Sequence, residues 1–510
     1  MVRKAVPQDG WLHFIGWDRT SRRYLCLAVV LPVSLWLVFK IVYPYPNLIF
    51  DSYYYVRAAA LDLNVNAWPI GYSKVIEFFG QFPHSVNWLL AAQFFFLQLS
   101  CGFFFFTWRT IFRPGRLMSN IVFVLLFVNP IFFYCCNYIL AEALFIGCSL
   151  IWLTLLLWII VRPRPWMVVA HAVVLLLAFT IRYNALYYPL VGALAFLFSR
   201  QRVGLKIAGI VLPLVLLGCF MYYTASQVAA VTGKRQFAPF GGWKLANDAL
   251  YMYAHVQDEA GGSAGPVPDR FRALDATVRR YFAASRDTFD ILNLDQTSGS
   301  TFMFSYDSPL VNYMDSVYGQ KGQPFNSPRW MAISPLYQSY GSWLIRQYPM
   351  AFARYFCWPN MVRYFAPPAE NFATEESYYL RPYLGGAYLQ QVFGLTAIPA
   401  SPGAIAWSQR ILRPYPSLLT IFHLAFILGL AGFIFTGGLK RAEGPFRACI
   451  GLIAGLWLID FGFSMLSAGI VLRYQLFVMI PEMACSIYFL SYIYRHLDKD
   501  VKVPVQTIHQ

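Results

Sequence analysis

The stretch "YLCLAVVLPVSLWLVFKIVY" (24–43) leads straight into "PYPNLIFDSYYYVRAAA" (44–60). The first part is long enough, as a helix, to cross about 30 Å of hydrocarbon. Further apolar runs fall at 88–107, 118–136, 139–161, 166–181, 184–198, 207–225, 417–437, 448–468 and 471–492. The 510 residues are 58% hydrophobic, 18% aromatic and 13% charged, whereas a soluble domain carries about 25% charged residues. The fold class expected is therefore an all-α polytopic membrane protein with about ten transmembrane helices. A transmembrane β-barrel would show short alternating segments instead.

The first run follows five basic residues, and no small-residue cleavage site follows it, so it reads as a retained signal anchor. Residues 1–23 form an expected cytoplasmic or interfacial segment. Within it, Trp11, Phe14 and Trp17 lie near Arg19, Arg22 and Arg23, which suits either a surface-lying amphipathic helix or a disordered tail. Nine cysteines are present, most of them in apolar runs. Cys135-Cys136 has no metal-like companion pair and reads as small hydrophobes, with no haem, zinc or disulfide framework implied.

Charge sets the expected topology. The N-terminal segment, the short connections at 109–116, 162–165, 199–206 and 440–447, and the tail 495–502 together hold 19 Lys+Arg against 5 acids. Short basic loops face the cytoplasm. The net charge of +16 is therefore mostly topogenic, not a nucleic-acid footprint. The N-terminal membrane module spans 24–225, with a first outer loop at 44–87. Segment 226–416 follows, then membrane helices over 417–492 and a cytoplasmic tail 493–510. Segment 226–416 has 16 Lys+Arg, 13 acids and many aromatics, and is expected to be a mainly helical extracytoplasmic domain. Within it "DRFRALDATVRRYF" (269–282) puts Phe271, Leu274, Val278 and Phe282 on one helical face, while "GGSAGPVP" (261–268) and "SPRW" (327–330) read as loops.

Ionisable residues are costly in apolar spans, so their positions inform. Asp51 opens the first outer loop, and Lys74 lies within it. Glu142 lies at the outer end of a span, and Arg182 and Arg473 lie at outer turns. Each has a structural reading as well. Asp51 suits a helix cap, Glu142 a partner for an arginine, the two arginines headgroup anchors, and Lys74 the surface. His84, His171, His255 and His423 are scattered and suggest no metal set. Asp460 and Glu482 lie deeper and read as helix-packing groups.

The carriers "FDSYYYVRAA", "WPIGYSKVIEFFG", "ILAEALFIGCSLIWL", "TIRYNALYYPL" and the late "LRYQLFVMIPE", in this order and on one side, resemble the C-type glycosyltransferase superfamily. "GGWKLANDALYMYAHV" (241–256) is similar to an outer-domain segment of that architecture. The resemblance implies a multi-pass enzyme in a bacterial cytoplasmic membrane with its site facing the periplasm. It would move a sugar from a polyprenyl-phosphate donor to a lipid, glycan or protein acceptor, with inversion by single displacement. Many members carry paired acids in the first loop. Here Ser52 follows Asp51, and the next acid is Asp62, so no paired-acid motif supports a divalent metal; a metal stays open as an alternative, and no particular cofactor is implied.

On that resemblance the expected catalytic residues are Asp51, as general base, and Glu142. A departing phosphate needs cations rather than a strong acid. Arginine grips phosphate oxygens with two donors, so Arg182, Arg473 and Lys74 are the expected phosphate ligands. Tyr53, Tyr54, Trp68 and Tyr72 would stack on a sugar or form an interfacial aromatic belt. Trp243, Lys244 and Asn247 would help select the acceptor. The charged groups should converge across a space sized for a sugar. Alternative readings are a lipid-linked saccharide transporter or flippase, an O-antigen ligase or polymerase, and a non-catalytic scaffold. A transporter should show internal repeats or broken helices at the midplane, and no repeat is visible.

Overall fold

The computed structural model describes residues 19–83, 85–259, 266–284, 299–319, 327–369, 385–397 and 402–501, with Lys321 and Phe325. The expectations for residues 1–18, for His84 and for 261–265 lie outside them. Regular structure among the described residues is helical, apart from an isolated bridge between Asn47 and Tyr138. Eight helices are long and apolar enough to cross a membrane: Arg19–Val42, Ser85–Phe112, Arg116–Asn137, Glu142–Val161, Val203–Thr232, Pro402–Phe435, Gly444–Ser467 and Leu472–His496. Two shorter apolar helices, Trp166–Ile181 and Tyr183–Phe198, lie between them.

The ten apolar runs thus divide into eight long helices and two short ones. Their lipid-facing sides are visible as exposed side chains, such as Val30, Leu37 and Ile41 on the first helix and Leu428 and Phe435 on a late one. Water would not tolerate such continuous apolar faces. This is the architecture of a multi-pass integral membrane protein.

The run at 118–136 is broken in two, Arg116–Phe127 and Pro130–Asn137. Pro130 has no N–H to continue the first helix, and the Asn129 side chain caps the second by accepting from the Ile131 N–H at 3.3 Å. The basic connections gather at one end of the bundle. Arg109 donates to Ser21 and lies 4.6 Å over the Tyr24 ring. Arg441 meets His496 at 3.2 Å. At the opposite end the first loop, the turn before Glu142 and the turns at Arg182 and Arg473 come together.

The long segment has a hydrophobic core of its own, built from residues such as Trp243, Leu250, Phe271, Phe302, Trp330 and Tyr337, and joined by Val65 and Ala67 of the first loop. Phe271, Leu274, Val278 and Phe282 are all buried there, on the short helical turn Asp269–Phe271 and the helix Arg272–Ala284. "SPRW" is not a loop. Ser327 caps the helix Pro328–Gln347, accepting from the Trp330 N–H at 3.2 Å, and Pro328 fills its first turn.

The helices Pro239–Glu259 and Pro328–Gln347 touch backbone to backbone. A Cβ on Gly341 would stand 2.7 Å from the Leu245 carbonyl oxygen, and one on Gly242 only 2.3 Å from that of Ser334. Any side chain there must part the helices. Gly341→Val is therefore expected to destabilise by about 1–3 kcal/mol, read as a lower unfolding midpoint. Gly204→Val, where a Cβ meets open space, should leave the midpoint close to wild type.

Candidate functional site

Two short backbone strips hold the start of the first loop against the turn before Glu142. The Asn47 N–H donates to the Asn137 carbonyl at 2.9 Å, and the Ile139 N–H donates to the Asn47 carbonyl at 3.2 Å. The Asn137 side chain donates to the Tyr45 carbonyl and to Asn47 Oδ1, and accepts from Lys40 at 2.9 Å. Gln93, fully buried, completes the tie. Its amide donates to the Cys136 and Tyr138 carbonyls, and its oxygen accepts from the Tyr72 hydroxyl at 2.6 Å. Asp51 and Glu142 are thereby placed together.

Asp51 sits in the first turn of the helix Phe50–Ala60 and does not cap it; Ile49 holds the cap position, and its N–H donates to Ser52 Oγ at 3.0 Å. A carboxylate there is favoured by the helix dipole. Arg182 follows the helix Trp166–Ile181. Just before it, a Cβ on Gly71 would come within 2.5 Å of the Thr180 carbonyl oxygen, so only glycine lets the first loop lie this close.

Arg473 opens the last membrane helix, and the turn before it is clasped by Asn360. The buried Asn360 amide donates to the carbonyls of Ser464, Met465 and Ala468, and its oxygen accepts from the Ile470 N–H at 2.8 Å. The Leu472 N–H donates to the Pro368 carbonyl at 3.0 Å.

The result is a chain of four charges. Arg182 Nη1 lies 2.5 Å from Glu142 Oε1. Arg473 Nη1 lies 2.9 Å from the same oxygen and 2.9 Å from Asp51 Oδ2. The two arginine side chains are 14% and 7% exposed, Glu142 3% and Asp51 16%. Glu142 Oε2 is buried and has no hydrogen-bond partner. Tyr474 supplies a ring 4.9 Å from the Arg182 guanidinium. A cavity lined by Glu142, Phe145, Arg182, Asn184, Arg473 and Tyr474 has a volume of about 10 Å³, room for about one water. Among the described residues, the space between Glu142, Arg182 and Arg473 is smaller than the expected sugar-sized one, filled by the ion pairs and the flanking Phe145 and Tyr474 rings.

The other expected contacts lie elsewhere. Lys74 pairs with Asp62 and with Glu77, the latter at 2.8 Å, and does not reach the cluster; its two acids hold its pKa above the usual lysine value against the lowering effect of burial. Tyr53 is buried. Tyr54 and Trp68 pack on Phe325, 4.7 and 5.1 Å between ring centres, in an aromatic seam between the loop and the long segment. Burial pushes the Tyr54 phenol up to about 12. Tyr72 is held by Gln93. Trp243 stacks on Trp330 at 5.0 Å and donates to its carbonyl. Lys244 and Asn247 both donate to the Gly299 carbonyl, and Lys244 lies 3.1 Å from Asp248. These last three are core residues of the long segment.

Asn184, Gln93 and Asn360 were not singled out from the sequence, and Tyr55 and Tyr474, which stand beside Asp51 and Arg473 in the quoted stretches, carried no expected role. Tyr55 is buried within electrostatic reach of all four charges; burial is the main reason its phenol lies well above the usual value, with Arg182 pulling the other way. The available signal was weak: neutral polar residues inside or beside apolar runs. Among the described residues, no group of three or more His, Cys, Asp and Glu forms a metal-ligating set. No protein-family model matches the chain, and no curated protein or solved structure shows significant similarity to it.

Glu142→Gln leaves two buried arginines without their shared counter-charge and is expected to cost about 3–5 kcal/mol. Lys74→Gln removes exposed pairs worth about 0–1 kcal/mol. Thermal unfolding of the two variants side by side checks this. In the long segment, burial raises Asp248 from 3.8 to about 6, opposed by Lys244. The folded state thus binds more protons than the unfolded one between those values, so this group's contribution to stability falls as pH rises from about 4 to about 6. Asp248→Asn should flatten that part of the stability–pH curve.

Proposed function

We propose that this chain is an integral-membrane glycosyltransferase of the C type, using a polyprenyl-phosphate sugar. One observation carries the reading. Asp51, Glu142, Arg182 and Arg473 come from four distant stretches, and they meet as one cluster at one end of the bundle. Two arginines are suited to a phosphate, and a partly exposed carboxylate beside them is suited to general-base work. Buried ionisable groups of this kind in a membrane protein point to function rather than to packing alone.

In the proposed reaction the donor phosphate lies on Arg182 and Arg473, with its lipid tail in the bilayer. Asp51 takes the proton of the acceptor O–H or N–H. The acceptor atom bonds to the anomeric carbon, and the bond from that carbon to the phosphate oxygen breaks with its electron pair on the phosphate. The arginines stabilise the charge that gathers there. A phosphate monoester has a second pKa near 6, so it leaves without a dedicated acid. Glu142 holds both guanidinium groups in place, and its unpartnered Oε2 faces the donor or acceptor. The long segment, tied to the first loop by the seam at Tyr54, Trp68 and Phe325, roofs the site on the extracytoplasmic side.

Asp51→Asn is expected to abolish sugar transfer with folding intact; full activity in that variant would remove Asp51 as base. Arg473→Ala should weaken donor binding far more than acceptor binding, and an unchanged donor affinity would return it to an anchoring role. The deciding assay incubates the purified protein with a panel of polyprenyl-phosphate sugars and acceptors. Acceptor-dependent release of lipid phosphate supports transfer; movement of the intact lipid-linked sugar between leaflets would support a flippase instead.

A further inference from the structure

Among the described residues the four charges of the cluster sum to zero, and their side chains are largely buried. A phosphodiester-linked sugar would add one more negative charge to a place nearly cut off from water. Uncompensated buried charge is strongly unfavourable, so the donor cannot simply join Asp51, Glu142, Arg182 and Arg473 as they stand. The cavity beside them, lined by Glu142, Arg182 and Arg473 but not by Asp51, has room for about one water. A phosphate that reaches Arg473 therefore has to come from the more exposed Asp51 side and compete with that carboxylate for the guanidinium.

The geometry decides which carboxylate yields. Glu142 is 3% exposed, heads a membrane helix and is held by both arginines. Asp51 is 16% exposed and sits on a short helix in a loop; among the described residues its carboxylate meets Arg473 alone. A single nitrogen, Arg473 Nη1, serves both acids at 2.9 Å. Without Asp51 that nitrogen still serves Glu142 and can serve a phosphate oxygen in place of the lost carboxylate. The exchange leaves Arg182 and Arg473 against Glu142 and the singly charged phosphodiester, again neutral.

Resting on the transferase reading above, we propose that the Asp51–Arg473 pair is a latch. Asp51 occupies on Arg473 the place that the lipid-linked phosphate takes, so donor binding itself releases Asp51 to act on the acceptor. Binding is then ordered, with the donor first. Without a donor the base stays neutralised by Arg473, which guards against idle proton transfer. After transfer the lipid phosphate carries a second negative charge and holds the arginines more tightly than the donor did. The latch closes again once that product leaves.

The test uses the full-length protein in detergent and farnesyl phosphate, a short polyprenyl phosphate, with affinity read by titration calorimetry. A latch predicts that Asp51→Asn and Asp51→Ser bind farnesyl phosphate about ten-fold more tightly than wild type, because a competing carboxylate is gone. Asp51→Glu, which keeps the charge, should bind within a few-fold of wild type. Asp62→Asn, which removes an exposed acid of the same loop, should match wild type and excludes a simple net-charge effect. Two substitutions at position 51 are used so that one misfolded variant leaves the other to report, with folding checked by thermal unfolding. Unchanged or weaker binding in a folded position-51 variant overturns the latch and leaves the transferase reading in place. No binding by wild type or any variant overturns the latch and the phosphate site together.

Discussion

One guanidinium nitrogen of Arg473 sits between two carboxylates, and the rest of the site depends on that sharing. In a place nearly sealed from water, a lone charge is far more costly than the same charge at a surface. Glu142 at the head of a membrane helix therefore requires cations nearby, and Arg182 and Arg473 require anions. Once Glu142 is present, the turns carrying both arginines and the loop carrying Asp51 must arrive at one end of the bundle. Electrostatics supplies the demand, but it cannot position the groups to a few tenths of an ångström.

That positioning falls to neutral hydrogen bonds. Membrane helices gain little from the hydrophobic effect against lipid-like neighbours, so polar contacts and close packing hold them together. Asn137 and Gln93 fasten the first loop to the turn before Glu142. Asn360 satisfies three carbonyls at the end of Gly444–Ser467 and the Ile470 N–H beyond it, groups that a helix end otherwise leaves open. Deeper in the bundle, Asp460 accepts from the Tyr187 and Tyr364 hydroxyls at 2.7 and 2.9 Å, tying the short helix after Arg182 to the same late helix. The long segment is thus part of the frame, because Asn360 and Tyr364 both come from it.

How much of this was legible in the sequence follows from how sharply each residue type is priced by its surroundings. Helix length and alternation of basic connections placed Asp51, Glu142, Arg182 and Arg473 at one end, and the structure brings them into contact. The amphipathic face at 269–282 was legible for the same reason. Lys74 was not, because its fate turns on Asp62 and Glu77, two acids within reach of one exposed ammonium. Trp243, Asn247, Tyr72 and Trp68 were not, because an aromatic or amide that lines a site looks the same in sequence as one that fills a core, and Lys244 was not, because its ammonium is held by Asp248 and the Gly299 carbonyl. Asn360 and Gln93 carry no charge to betray them, and their importance lies in which backbone groups they satisfy. Ser327 shows the opposite failure: a Ser-Pro pair that suggested a loop is the capped start of a helix.

Neutrality has a further consequence for the chemistry. Two arginines without Glu142 and Asp51 would repel each other, and with a phosphate between them would hold it too well to release the product. One carboxylate between them, Glu142, lowers that grip while keeping the guanidinium planes fixed. A second, Asp51, is the more exposed of the two and lies in the first turn of a short helix, so it is the one placed to exchange for another anion. A site that must take up a lipid phosphate, react and let it go needs cations whose charge is covered when the phosphate is absent. The exposed member of the pair is the natural cover, and in the proposed reaction it is also the base. On that reading binding and proton transfer would be tied to a single side chain, and a neutral cluster could still serve phosphate chemistry.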